Sequence, residues 1–103
     1  MAFTGNEDHS IALGTASEWT KAYRDANPNS IIGHYFGGAA IEAILAQQNC
    51  VGIRIYYAIN DVGVKQLIIT GVDAAGNDLY NGLLAERSIN CPPTCASNNP
   101  LNS

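Results

Sequence analysis

The residues best suited to chemistry lie near the C-terminus, in the run Cys91-Pro92-Pro93-Thr94-Cys95. A redox pair normally has two residues between its cysteines at a helix N-terminus, where the helix dipole lowers the thiol pKa, but three residues intervene here. Two prolines favour an extended path, which would separate the two Cα atoms by roughly 12 Å, beyond the ~7 Å limit for a disulfide. A local bridge therefore requires a sharp turn after Pro93. The favoured interpretation is structural, with apolar thiols anchoring the tail, and a disulfide or redox role stays open as an alternative.

A metal site would need further ligands beside these cysteines. Structural zinc sites use four ligands, usually from two closely spaced pairs. The sequence adds Cys50 and the isolated His9 and His34 but contains no second pair, so a zinc site would require two chains. We therefore predict no metal and no cofactor for a single chain, and Cys91, Cys95 and Cys50 remain the thiol or shared-metal candidates.

Catalytic motifs are missing from the sequence. It contains no HExxH, no nucleophile elbow, no P-loop and no carboxylate pair at a meaningful spacing. Asp73 and Asp78 flank Gly76, but the alternating ligands and terminal glutamate of a calcium loop are absent. The sequence gives no positive support to an enzyme and predicts no catalytic residue. The main alternative to a binding module is a thiol- or metal-dependent activity centred on the two tail cysteines.

Two groups of apolar residues indicate a protein contact. His34, Tyr35 and Phe36 form the densest aromatic cluster of the chain, beside a pair of glycines, and an exposed aromatic there would anchor a partner. The alternative is that Tyr35 and Phe36 both point into the core. Leu67 and Ile69 lie on one face of a strand whose other face is also apolar, which is typical of a strand covered on both sides. The predicted partner-binding residues are His34, Tyr35, Phe36, Leu67 and Ile69.

The elements that must position these residues are organised around a hairpin over residues 51–72. Two β-branched, apolar runs flank Asn60-Asp61-Val62-Gly63, which has the residue types of a tight turn. A third strand is predicted to start at 78–80, and residues 83–89 are predicted to form a further strand, with a short helical turn as the alternative. Alternate residues of the first strand form the predicted core face, which two helices should cover. These residues are Val51, Ile53, Ile55, Tyr57 and Ile59.

Two main helices are predicted ahead of the hairpin. Apolar residues recur at helical spacing from Ile11 to Ala26, where Asn27-Pro28 should end the helix, and again from about 39 to 48. A short helical turn is predicted between them, over 31–36. Trp19 and Tyr23 should pack on the sheet; a small-molecule site between helices and sheet, near these residues and Tyr57, is the alternative.

These elements predict the fold class α+β, with two to three N-terminal helices packed on one face of a small antiparallel β-meander, in the order ααβββ. The 103 residues suit a single domain over 1–103, with 1–10 and 96–103 expected to be flexible.

The composition indicates which classes of partner the protein could bind. Apolar residues make up 47% and charged residues 14% of the chain, so the lightly charged surface favours a homo-oligomer or a protein partner. The net charge is −4 and the five basic residues are scattered, which argues against nucleic acid and against an anionic membrane surface. No signal peptide or transmembrane run is visible, and the odd cysteine count agrees with a reducing compartment, so a cytoplasmic location is predicted.

Several segments together carry a family resemblance: EWTKAYRDANPN, IIGHYFGGAAIEAILAQQNCVGIRIYYAI, ITGVDAAGNDLY and the closing CPPTC. From about Ile11 onward, the chain resembles a family of small uncharacterised bacterial proteins, chiefly from Bacteroidetes, with a C-terminal CPPxC motif. The resemblance implies a bacterial, single-domain protein whose Cys91 to Cys95 motif belongs to the pattern. It carries over no catalytic residue, substrate or partner.

Overall fold

The computed structural model describes residues 2–103, which form a small α+β fold with two helices and two antiparallel sheets. The chain divides into two compact units built from separate segments. The hairpin unit contains residues 2–7 and Phe36–Ser88, and the tail unit contains Asp8–Tyr35 and Ile89–Ser103. In chain order the elements are α1 (Leu13–Ala26), β1 (Gly33–Tyr35), α2 (Gly38–Leu45), β2 (Cys50–Ile59), β3 (Lys65–Asp73), β4 (Leu84–Ala85) and β5 (Ile89–Cys91).

The predicted hairpin is confirmed, because β2 and β3 pair antiparallel with Ile55 opposite Ile69. Its turn is built by Asn60, whose side-chain Oδ1 accepts hydrogen bonds from the amides of Val62 (3.0 Å) and Val64 (2.9 Å). Gly63 has a φ of +83°, a backbone conformation that residues with a Cβ adopt at a cost. The turn chemistry of the sequence therefore sets the register of both strands.

Helix α2 packs on the sheet of the hairpin unit and forms its core. Ile44 of α2 meets Ile69 of β3 and Ala85 of β4, and each of these three side chains is buried. The partly buried Phe36, Ile41 and Cys50 complete this cluster. Helix α2 ends at Leu45, earlier than the predicted position 48, and Asn49 takes a φ of +69° just beyond it.

The strand predicted to start at 78–80 contributes only an isolated bridge between Val72 and Asp78. The further strand predicted over 83–89 is present as the short β4 at Leu84–Ala85, which pairs with β3. The connection closes locally instead, because the Asp73 carboxylate accepts hydrogen bonds from the amides of Ala75 and Asn77. This turn uses the residue types that favour tight connections. The strand that pairs with β3 comes later in the chain, at Leu84–Ala85.

Helix α1 begins the tail unit and ends at Ala26, as the Asn27-Pro28 pair predicts. The backbone amide and the side-chain amide of Asn27 both donate to the carbonyl of Tyr23, which closes the last turn. None of the residues of α1 is buried, and the Trp19 side chain is 66% exposed. The prediction that Trp19 is a core residue is therefore wrong.

The predicted helical turn over 31–36 is also wrong, since residues 33–35 form strand β1. This strand pairs antiparallel with β5, with Gly33 opposite Cys91 and Tyr35 opposite Ile89. The backbone amide of Ile32 adds a further bond to the Cys91 carbonyl at 2.6 Å. The partner strand lies more than fifty positions away in the sequence, so local spacing could not indicate it.

The tail thiols form a disulfide between Cys91 and Cys95, with their Cα atoms 4.7 Å apart. The extended path expected from two prolines is replaced by a turn in which the Thr94 amide donates to the Asn90 carbonyl at 3.0 Å. Cys91 is also the last residue of β5, so one of the two thiols belongs to regular structure.

The last residues of the chain contact α1 rather than running free. The Ser17 hydroxyl donates to the Pro100 carbonyl at 2.9 Å, and the Arg24 guanidinium donates to the carbonyl oxygens of Leu101 and Ser103. Ser17 and Arg24 are seven positions apart, which places both on one face of the helix. Within residues 2–103, no helix has the length and apolar character needed to cross a membrane.

Candidate interaction surface

Strand β2 lies at one edge of its three-stranded sheet, whose order is β2-β3-β4. One face of this strand carries apolar side chains that water reaches: Ile53 is 38% exposed, Ile55 48%, Tyr57 94% and Ile59 72%. We call these four side chains, with the unpaired backbone edge of Ile53–Ile59, the β2 edge surface. Natural edge strands usually carry charges, prolines or bulges that prevent pairing with another chain, and this stretch carries one charged residue and no proline.

This face was predicted to be the core, and the structure corrects that prediction. The four side chains point to the same side of the sheet as Ile69, which is buried beneath α2. However, α2 has eight residues and is about 12 Å long, whereas the ten residues of β2 extend over about 33 Å. The helix therefore covers only part of the face.

The opposite face of β2 carries a polar network. The guanidinium of Arg54 and the hydroxyl of Tyr56 each donate to a different oxygen of the Asp78 carboxylate, and Arg54 also donates to the Gly76 carbonyl at 3.2 Å. The Tyr56 hydrogen bond, followed by the Arg54 interaction, lowers the pKa of Asp78. The bond to Asp78 raises the pKa of Tyr56 and that of Arg54. This network joins β2 to the segment after the second turn.

The network also affects the β2 edge surface. Arg54 is the one charged residue of the strand, and it pairs with a carboxylate of its own unit. Its charge therefore has a partner already and does not repel an approaching strand. At the start of the strand, Gly5 lies so close to the Val51 carbonyl that a Cβ on Gly5 would be 2.5 Å from it. The open part of the edge therefore begins after this contact.

The partner-binding residues predicted from sequence fall in both units of the chain. Phe36 and Ile69 belong to the core of the hairpin unit, so Ile69, at 2% exposure, has almost no surface to offer a partner. Leu67 lies on the same face and is partly buried. His34 and Tyr35 belong to β1 of the tail unit, and Tyr35 is 61% exposed.

The thiol candidates also fall in both units. Cys91 and Cys95 are joined in the tail unit, while Cys50 is a free cysteine in the hairpin unit that packs at the edge of the core. While the bridge is closed, neither tail cysteine offers a thiolate to a substrate or a metal. Among residues 2–103, no three His, Cys, Asp or Glu side chains come together in a way that would hold a metal ion.

One open groove of about 390 Å³ lies in the hairpin unit, and its lining does not include Trp19, Tyr23 or Tyr57 of the predicted small-molecule site. Two of its polar side chains, those of Gln47 and Asp78, have internal partners. The Gln47 amide donates to the Ile44 carbonyl at 2.9 Å and accepts from the Leu83 amide at 2.8 Å. Asp78 is held by the network described above. These contacts hold neighbouring segments of the hairpin unit together, so we assign the groove a structural role. The groove is lined by Gln47, Gln48, Asp78, Leu79, Tyr80, Asn81 and Gly82.

Sequence reasoning missed the β2 edge surface because it assigned the strand's apolar residues to the core. A signal was present, since ten residues in a strand extend further than either of the two helices predicted to cover them. Comparisons of the chain with protein-family models, with curated proteins and with solved structures give no match.

Proposed function

We propose that this protein is a binding module that pairs the open edge of β2 with an extended segment of another chain. The observation that carries the proposal is the exposed apolar side chains on an edge strand that holds a single, internally paired charge. In strand addition of this kind, backbone hydrogen bonds supply affinity and alternate side chains supply specificity. The β2 edge surface provides both, with unpaired backbone groups beside four apolar side chains.

The aromatic and β-branched character of the surface supports this proposal over a polar recognition site. Aromatic residues are enriched at the centre of protein interfaces, whereas charged residues are depleted there. Tyr57, two positions before the end of β2, is almost fully exposed, where a soluble protein with no partner would more often carry a polar residue. A partner strand would remove Tyr57 and Ile59 from water, which favours association.

A synthetic peptide of alternating threonine and valine, with a lysine at each end, tests strand addition directly. We expect titration of the isotope-labelled protein to shift the backbone amide signals of residues 53–59 and to leave those of β4 in place. The matched control is the same peptide with every backbone nitrogen methylated, which removes the donors from both of its edges. Equal binding of both peptides, or shifts confined to other residues, would refute backbone pairing at this edge.

Two expectations from the sequence accompany the proposal as predictions. A cytoplasmic location is expected from the odd number of cysteines in the sequence. Membership of the CPPxC family follows from the resemblance described above.

A further inference from the structure

We infer that the occupant of the β2 edge surface is β2 of a second copy of this chain, paired antiparallel about a two-fold axis at Tyr56. This inference rests on the proposed function and adds the identity of the partner and the register. Its basis is that the exposed part of β2 is complementary to itself when it is reversed.

The side chains define the register. An antiparallel pair related by a two-fold axis keeps each side chain on its own face, so one residue must lie opposite itself. With Tyr56 in that position, Ile53 lies opposite Ile59 of the second copy and Ile55 lies opposite Tyr57 of the second copy. All four exposed apolar side chains of each strand then meet apolar partners. Aromatic and β-branched pairs of this kind are the ones that stabilise sheets.

Charge and space favour the same register. A two-fold axis at Arg54 would place the two guanidinium groups directly opposite each other, which is unfavourable. With the axis at Tyr56, each Arg54 lies opposite Ala58 of the second copy, and each retains its own Asp78. The seven paired residues, Ile53–Ile59, also begin after Val51, whose carbonyl Gly5 approaches closely. The result is one continuous six-stranded sheet, in the order β4-β3-β2 from each copy.

Cross-linking between two single-cysteine variants tests the register. In a Cys50→Ala background, with Cys91 and Cys95 left oxidised, Ile53→Cys is mixed with Ile59→Cys and treated with a short bis-maleimide. Opposite residues have Cβ atoms about 4.5–5.5 Å apart, so we expect the mixture to give covalent dimers. Each variant alone should give almost none, because six positions along the strand separate the two copies of either residue by about 20 Å. A two-fold axis at Ile55 would instead place position 53 opposite position 57. Efficient cross-linking in a mixture of Tyr57→Cys and Ile53→Cys would therefore indicate that alternative register.

Lysine substitution tests the surface without cysteine chemistry. Tyr57→Lys places a charge in the ladder at a side chain that is 94% exposed, so the monomer should still fold. We expect it to weaken self-association, measured by sedimentation equilibrium, by about tenfold or more. Val62→Lys is the matched control, because Val62 is 81% exposed on the turn outside the ladder and should leave the dimer unchanged.

The outcomes separate this inference from the proposed function. A dimer whose most efficient cross-link joins another pair, or a dimer insensitive to Tyr57→Lys, would overturn the Tyr56 register. A strict monomer that still binds the threonine-valine peptide at residues 53–59 would overturn the second copy and leave the proposed function standing. A monomer that binds no peptide there would end both. If the Cys50→Ala background fails to fold, isotope-filtered contacts between the Tyr56 backbones of two wild-type copies replace the cross-link as the test.

Discussion

At the scale of single residues, Asp78 is the side chain through which β2 is joined to the segment after the second turn. Replacing it by asparagine removes the charge that both Arg54 and Tyr56 bond to, so we expect Asp78→Asn to lower the urea midpoint of unfolding. Asp25→Asn is the control, because Asp25 forms only an exposed pair with Lys21 on α1 and should change the midpoint much less. An equal effect of the two variants would contradict the structural role of the network.

The same network predicts a pH dependence. The folded-state pKa of Asp78 lies below its ordinary value of 3.8, so its contribution is present above that pH and is lost as the pH falls through the lowered value. The pKa of Tyr56 lies above its ordinary value of 10.0, so its contribution is present below that pH and is lost as the pH rises through the raised value. We therefore expect wild-type stability to exceed that of Asp78→Asn between these limits, measured by urea unfolding over the full pH range, and the difference to shrink at both ends.

Substitutions at two isoleucines of the hairpin compare a buried position with an exposed one. Ile69 is 2% exposed, and Ile69→Ala should cost about 2–5 kcal/mol of unfolding free energy, since it leaves a cavity beneath α2. Ile59 is 72% exposed, and Ile59→Ala should change the stability of the monomer by less than about 0.5 kcal/mol. Chemical denaturation at low protein concentration compares the two, and similar losses would show that the core is placed wrongly.

At the scale of elements, the turn between β2 and β3 is set by backbone conformation rather than by packing. A Cβ on Gly63 would meet no atom within 4 Å, yet the φ of +83° makes Gly63→Ala unfavourable by about 1–2 kcal/mol. Gly38→Ala is the matched control, because that position is also open but begins α2, where alanine is a better helix former. Thermal unfolding should therefore move in opposite directions for the two variants, and a neutral Gly63→Ala would argue against the turn geometry.

At the scale of the whole molecule, the Cys91–Cys95 disulfide and the predicted cytoplasmic location imply different redox compartments. Disulfides persist in oxidising compartments, and reducing compartments normally keep thiols free. From the structure, we expect the unreduced protein to show one reactive thiol, Cys50, by thiol titration and mass spectrometry after alkylation. Protein taken from its native cells under acid quench decides the compartment: three alkylated cysteines would show that the bridge is open there.

Opening the bridge should affect the tail unit in a defined way. The loop it closes spans five residues, and the chain-entropy estimate for such a loop is about 2 kcal/mol. In the double variant Cys91→Ala/Cys95→Ala, we expect faster hydrogen exchange of the Thr94 and Ile32 amides, which bond around the bridge, and unchanged exchange in β3. Unchanged protection of both amides would show that the β1–β5 pair holds the tail without the bridge.

The sequence by itself determined the parts of this protein whose information is local. Alternating apolar residues and the Asn60 to Gly63 turn determined the β2–β3 hairpin, and the Asn27-Pro28 pair determined where α1 ends, because these features act within a few residues. Only the tertiary structure decided that β5 returns to pair with β1, that the tail cysteines meet, and that α2 covers Ile69 but leaves Ile53 to Ile59 in water. Each of these depends on contacts between distant segments and on the relative lengths of elements. For that reason residue spacing assigned the apolar side chains of β2 to one face, but only the packing of α2 determined how much of that face is open.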